Sequence, residues 1–249
     1  MYFCRAKIIR KHNIPKEANM GEKGKYCYDY WRPAVTADNV VFCFDGNHLN
    51  VLLIKRGREP YKDCWAFPGG FLEENETLEE AARRELKEET GLEPLYMEEI
   101  GAFSGVDRDP RGRVISGGFY SVVSPADKER AIAGDDAAQA CWFPVNELPP
   151  LAFDHAEVFR KALVHLRIGF HLIPVAFLLL GDIFTIPDIQ RLYTDVFCRT
   201  FDRRNFQKRF LKLGLVDPVD EPERSKRLPK RYRFNEEAYY QLRKKVMKF

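Results

Sequence analysis

The chain reads as an α/β sandwich followed by a winged helix-turn-helix, and three observations predict it. A glycine turn opens onto one acidic helix, with strand-forming segments on either side of that unit. Further along come a capped helix, a short turn, a basic helix and a two-stranded flap. Charge divides the same way. Residues 199–249 hold 16 Lys and Arg against 7 Asp and Glu, a net of +9, so the overall +3 leaves −6 for residues 1–198. An acidic front and a basic back imply two units, the rear one meeting a polyanion.

Bulk composition narrows the class. Of 249 residues, 31% are charged and 45% hydrophobic, enough apolar chain for a sizeable core. The longest apolar run, 175–180, is far shorter than a membrane span and is stopped by Gly181. Residues 1–30 are basic, rich in breakers and without an apolar signal core, and are read as an arm. The six cysteines (Cys4, Cys27, Cys43, Cys64, Cys141, Cys198) form no C-x-x-C pair, so reduced, packed thiols are expected and zinc is not. No membrane association is expected, and a cytoplasmic location follows by default.

The front unit is expected over residues 31–153. Residues 34–44 are apolar and β-branched, Asp45-Gly46-Asn47 marks a hairpin turn, and 49–55 returns. Trp65-Ala66-Phe67-Pro68 leads into Gly69-Gly70 and the acidic helix. Residues 97–103 and 114–123 read as strands separated by GVDRDPRGR, and 138–143 as a last strand.

The acidic helix has clear ends. Thr77 and Glu80 form a capping box that starts it near residue 78, and Gly91 can take the left-handed conformation that stops it. Leu78, Ala81, Ala82 and Leu86 recur at helical spacing and face a core. Glu85, Glu88 and Glu89 lie three and four positions apart and project from one face. Carboxylates so crowded repel one another unless a cation sits among them, and hard oxygen ligands favour Mg²⁺ or Mn²⁺. Arg84 can orient or neutralise one of them. A solvated acidic face is the plain alternative, since residues 73–89 hold eight Glu.

The stretch GFLEENETLEEAARRELKEETGL, residues 70–92, decides against that alternative. It fits G-x5-E-x7-R-E-U-x-E-E-x-G-U, with U apolar, at Gly70, Glu76, Arg84, Glu85, Leu86, Glu88, Glu89, Gly91 and Leu92. This resembles the Nudix family, which cleaves nucleoside diphosphates linked to another group, and the likeness implies a Nudix α/β/α sandwich. It further implies a pyrophosphatase in which Glu85, Glu88, Glu89 and the Gly70 carbonyl hold Mg²⁺ or Mn²⁺, while Glu76 supports the loop. Cleavage of P–O–P needs charge neutralised on two phosphates and a water held in line with phosphorus. The base is Glu85 in our reading, with Asp135 and Asp136 as further candidates. Gln139, where similar proteins often carry Glu, cannot take a proton.

Substrate is indicated by GAFSGVDRDPRGRVISGGFY, which resembles the corresponding stretch of ADP-ribose pyrophosphatases and their regulator relatives. Arg108, Arg111 and Arg113 are candidate diphosphate contacts, although DRDPRG also reads as a turn-forming loop. Tyr30, Trp31 and Phe103 can stack on a base or simply pack. Asp154 and His155 are read as structural.

The rear unit is expected over 154–249, starting with a helix over 155–167. Thr185 and Asp188 form a second capping box, with Pro187 tolerated in the first turn. Ile189, Leu192, Tyr193, Val196 and Phe197 mark one apolar face. Asp202 caps RRNFQKRFLKL, which Gly214 ends, and residues 215–235 fold back as a Pro-rich flap. Arg203, Arg204, Lys208 and Lys212 on the helix, with Lys226, Arg227, Lys230 and Arg231 on the flap, are the candidate contacts to double-stranded DNA. The order of units resembles the Nudix-related transcriptional regulators, over about residues 30–240. A homodimer is expected because such regulators read paired half-sites. Two readings follow: an enzyme of ADP-ribose type, or a repressor whose front pocket senses ADP-ribose or a sugar ligand without turnover. The intact box favours the enzyme.

Overall fold

A computed structural model describes residues 30–130, 137–172, 174–220 and 228–246. Asp135, Asp136, Lys226, Arg227, Cys4, Cys27 and nearly all of the expected arm lie outside these.

The front sheet is built around β1 (Ala34–Phe44), whose side chains are buried along almost its whole length. β1 pairs antiparallel with β2 (Leu49–Arg56) across the turn at Gly46, and with β4 (Gly69–Phe71) further back along the same strand. On its other edge it runs parallel to β6 (Val114–Val122), which pairs with β5 (Tyr96–Phe103). β3 (Trp65–Ala66) and β7 (Ala137–Pro144) both pair with β2. Splitting β1 between two antiparallel neighbours brings the Gly69-Gly70 turn beside Asp38 and Ala37.

Helices cover both faces. α1 (Leu78–Thr90) buries Ala81, Ala82 and Leu86 against one face, with Ala37, Val41, Cys43 and Phe119 among the residues opposite. Both ends are as the sequence predicts. Glu80 N–H donates to Thr77 Oγ1 at 3.3 Å, and Thr77 N–H to the Glu80 carboxylate at 2.8 Å. Gly91 closes the helix at φ 72°, where a side chain would be strained. On the other face lies α2 (His155–Leu172), five residues longer than the expected helix, with Val158, Ala162 and Leu166 buried beneath the sheet.

The rear elements are α3 (Val175–Leu180), β8 (Phe184–Thr185), α4 (Ile186–Phe197), α5 (Arg203–Lys212), β9 (Val216–Pro218), β10 (Arg231–Phe234) and α6 (Glu236–Val246). The strands form a small sheet in the order β8-β10-β9. The Thr185–Asp188 box and the Asp202 cap are both made, Asp202 Oδ1 accepting from Asn205 N–H at 2.9 Å. α3, β8 and α6 are additions to the expected set. α3 is short and apolar, so its periodicity is not readable.

One hydrophobic cluster runs from Phe42 and Tyr120 of the sheet through Leu166 and Leu179 to Leu192, Phe210 and Tyr232. Polar contacts reinforce the join. Leu49 N–H donates to Asp195 Oδ2 at 2.7 Å and Arg191 Nε to the Gly46 carbonyl at 2.8 Å, seating α4 on the β1–β2 turn. No helix among the described residues is long and apolar enough to cross a membrane. Among the described cysteines Cys43 is buried, Cys198 is exposed, and all four are free thiols.

Candidate active site

The glycine turn and the C-terminal half of α1 form one wall of a cavity of about 910 Å³. Gly70, Arg84, Glu85, Glu88 and Glu89 all line it. Gly70 is required by close approach: a Cβ there would lie 2.2 Å from Glu85 Oε1.

Arg84 organises this wall. Its Nη1 donates to Glu85 Oε1 at 2.8 Å and to Glu88 Oε2 at 3.1 Å. Its other edge holds Glu76, with Nη2 to Oε1 at 2.6 Å and Nε to Oε2 at 3.0 Å. Glu76 in turn accepts from Glu73 N–H at 2.8 Å, a loop-supporting arrangement. These bonds, Glu76 foremost, raise the Arg84 pKa above its ordinary value. Charge-assisted pairs of this kind are short and directional.

Glu89 faces the same cavity from a buried position, accepting from Gly69 N–H at 2.9 Å. Burial pushes its carboxyl up to about 8, against the Gly69 hydrogen bond and with help from the negative charges of Glu85 and Asp38. Burial likewise raises Glu85. Oxygen-only donors crowded on one wall match a hard divalent cation. Among the described residues, however, no three His, Cys, Asp or Glu side chains converge on one point. Arg84 stands between Glu85 and Glu88, and Glu89 is turned to the backbone.

The floor and far wall come from residues the sequence reading did not select. Asp38 of β1 is buried, and its Oδ2 accepts from Ser116 Oγ at 2.5 Å and from Arg108 Nη2 at 3.3 Å. His155 accepts from Phe67 N–H at its Nδ1, 3.0 Å away, and stacks on the Phe67 ring at 5.3 Å. That bond sets the proton on Nε2, which points at Asp38 Oδ2 from 3.8 Å. Burial lowers the His155 pKa, so the ring is held neutral.

The three loop arginines have different environments. Arg108 lines the cavity with its side chain only 4% exposed and doubly bonded to Asp154, at 2.7 and 2.9 Å. Asp154 thereby fixes the Arg108 guanidinium in place. Arg111 also lines the cavity, is 41% exposed, and grips Asp109 while lying 4.9 Å over the Phe71 ring. Arg113 is not among the lining residues and donates to the Ser104 and Gly105 carbonyls. Phe103 is buried, with Lys161 Nζ 5.1 Å from its ring centre. Gln139 is exposed on β7, opposite Lys55.

In the rear unit, Arg203, Arg204, Lys208 and Lys212 are all exposed along α5, while Phe206 and Phe210 pack inward against Tyr193. Arg204, Lys208 and Lys212 recur every four residues and form one basic stripe. Lys230 is exposed and Arg231 partly buried at the start of β10. Helix α5 follows α4 through a tight turn and precedes the β9–β10 flap, the arrangement that offers a helix to a DNA groove.

Comparison with known proteins agrees with both units. Residues 33–162 match the NUDIX domain family, and residues 176–234 match the NrtR DNA-binding winged helix domain. The chain is similar to the ADP-ribose pyrophosphatase of Methanocaldococcus jannaschii, 47% identical over 154 residues, which are 62% of this chain and 81% of that one. It is also similar to the ADPR responsive transcriptional repressor NtrR of Acinetobacter baylyi, 28% identical over 85% of this chain and 86% of the repressor. Among solved structures, Shewanella oneidensis NrtR superposes with a TM-score of 0.65 at 27% identity, covering 81% of this chain and 94% of that one.

Proposed function

Since this chain belongs to the Nudix family and carries an NrtR-type winged helix, we propose that it hydrolyses ADP-ribose, or a related nucleoside diphosphate derivative, and binds double-stranded DNA. The observation that carries the reading is the placement of Glu85, Glu88, Glu89 and Gly70 on one cavity wall. Nudix hydrolases generally use divalent ions; here Glu85, Glu88, Glu89 and the Gly70 carbonyl are the residues to hold Mg²⁺ or Mn²⁺. When bound, such an ion neutralises phosphate charge and acidifies a water.

The chain's own groups supply the remainder. Glu85, desolvated and with a raised pKa, accepts the proton of the attacking water. Arg84 positions Glu85 and Glu88 through its Nη1. Arg111, exposed at the rim, meets substrate phosphate. Arg203, Arg204, Lys208 and Lys212 of α5 meet DNA, and Lys230 and Arg231 extend that surface into the flap. A homodimer in the cytoplasm suits an operator of two half-sites. The division into units at about residue 153 belongs to the same proposal.

Release of AMP and ribose 5-phosphate from ADP-ribose with Mg²⁺ tests the reading, with Glu89→Gln alongside. Turnover abolished in the nearly isosteric variant is the expected result. Full turnover in Glu89→Gln would remove Glu89 from the site, and none in the wild type would overturn the hydrolase. A sensor without turnover is the second reading, and one observation favours it. Arg84 pairs with both Glu85 and Glu88, which reduces the repulsion between these two carboxylates.

A further inference from the structure

Five arginines line the cavity, Arg56 and Arg58 close together in sequence at the end of β2 and Arg84, Arg108 and Arg111 elsewhere, and the last three are matched by carboxylates. Arg84 holds Glu76, Glu85 and Glu88; Arg108 holds Asp38 and Asp154; Arg111 holds Asp109. Arg56, at the end of β2, differs. Its Nε donates to the Pro60 carbonyl at 2.9 Å, and among the described residues no carboxylate is in ion-pairing contact with it. Its guanidinium lies 4.8 Å over the Phe153 ring, and Arg111 approaches the same ring at 5.8 Å. A ring face attracts a cation but does not neutralise it, so two guanidinium groups sharing one ring repel each other.

The support for this pair is itself strained. Phe153 sits at φ 53°, a left-handed conformation uncommon for an aromatic residue. Tyr61, 4.7 Å away edge-on, and His155 at 5.5 Å fix the ring there. Glu89, Asp109 and Asp38 act on Arg56 only from beyond ion-pairing distance, and a strained residue that holds such an arginine in a cavity is out of place in a purely structural wall. Opposite it stands the acidic wall of α1.

We propose that Arg56, carried on the Phe153 ring, anchors the diphosphate of the substrate. This rests on the hydrolase reading above and deepens it by naming the group that receives phosphate oxygens turned away from the α1 carboxylates. A planar guanidinium with free Nη donors suits two phosphate oxygens at once. With an anion between them, Arg56 and Arg111 no longer repel, and the strained ring holds both donors at the spacing the anion requires.

The test compares wild type, Arg56→Gln and Arg56→Lys by calorimetric binding of ADP-ribose and of inorganic pyrophosphate in EDTA, then by steady-state hydrolysis with Mg²⁺. Arg56→Gln is expected to weaken binding of both probes about 10- to 100-fold. KM should rise by a similar factor while kcat changes less. Arg56→Lys should recover part of the loss, since it restores charge without the planar fork. The melting temperature of the ligand-free Arg56→Gln protein should hold or rise, because a like-charge contact is relieved. Pyrophosphate affinity unchanged in Arg56→Gln, whatever the melting temperature, would overturn the assignment. A wild type that hydrolyses no ADP-ribose with Mg²⁺ would instead overturn the underlying hydrolase reading.

Discussion

The Glu85 carboxylate stands where a side chain at position 70 would begin: in place of Gly70, an added Cβ would fall 2.2 Å from Glu85 Oε1 and 2.4 Å from its Cδ. The glycine thus sets where the Glu85 carboxylate stands. What a methyl would meet is the end of a flexible side chain, not backbone. Gly70→Ala should therefore leave the fold intact and displace Glu85. Misplacing a catalytic group by about 1 Å costs roughly 100-fold in rate. Steady-state hydrolysis beside a thermal melt checks this, and normal turnover would show that Glu85 has another position open to it.

Arg108 is expected to matter for stability more than for substrate. Its buried guanidinium holds Asp38 and Asp154 together. Arg108→Ala leaves two carboxylates without their cation at the cavity floor, a loss of about 3 kcal/mol. Chemical denaturation measures it. A variant of wild-type stability that binds ADP-ribose poorly would reverse the assignment and make Arg108 a ligand contact.

His155 ties stability to acid. Burial lowers its pKa below the ordinary 6.5, so between that value and the lowered one the unfolded chain binds a proton that the folded chain refuses. This contribution is complete above pH 6.5 and is lost as pH falls toward the folded value. Asp38 and Asp154 oppose the shift, and Arg108 and Arg56 reinforce it. His155→Asn keeps an acceptor for Phe67 N–H and removes the titration. Its melting temperature should fall less steeply than that of wild type between about pH 7 and 5. Parallel curves would exclude His155 as the source.

The basic stripe on α5 predicts a salt signature. Binding to duplex DNA should weaken steeply with salt, and Arg204→Ala or Lys208→Ala should each reduce the slope of log K against log salt by about 0.9. Fluorescence anisotropy over a salt series reads this. An unchanged slope in both variants would move the DNA contact off α5.

Much of the molecule is written locally. The caps at Thr77 and Thr185, the left-handed Gly91, and the i, i+3, i+4 spacing of Glu85, Glu88 and Glu89 depend on neighbours within one or two turns, and those were legible. So was α5, because Asp202, its basic stripe and its apolar Phe206 and Phe210 lie within ten residues of one another. By contrast α6 escaped notice: its polar, mostly exposed surface has no strong apolar stripe to announce it.

The far wall of the cavity was not legible, for a different reason. Arg108 and Arg111 were singled out from their loop, but Asp38, Arg56, Phe153 and His155 are spread over more than a hundred positions and carry no shared motif. Each reads alone as strand, turn or packing residue. Their roles come from which partner folding brings within about 3 Å, and pairing energies decide that only in three dimensions. The chain by itself thus determined the helix ends, the acidic cluster and the two-unit order, all short-range properties. Tertiary structure decided that Arg108 is committed to Asp154, that Arg84 bridges Glu85 and Glu88, and that Arg56 faces the cavity with no carboxylate in ion-pairing contact among the described residues.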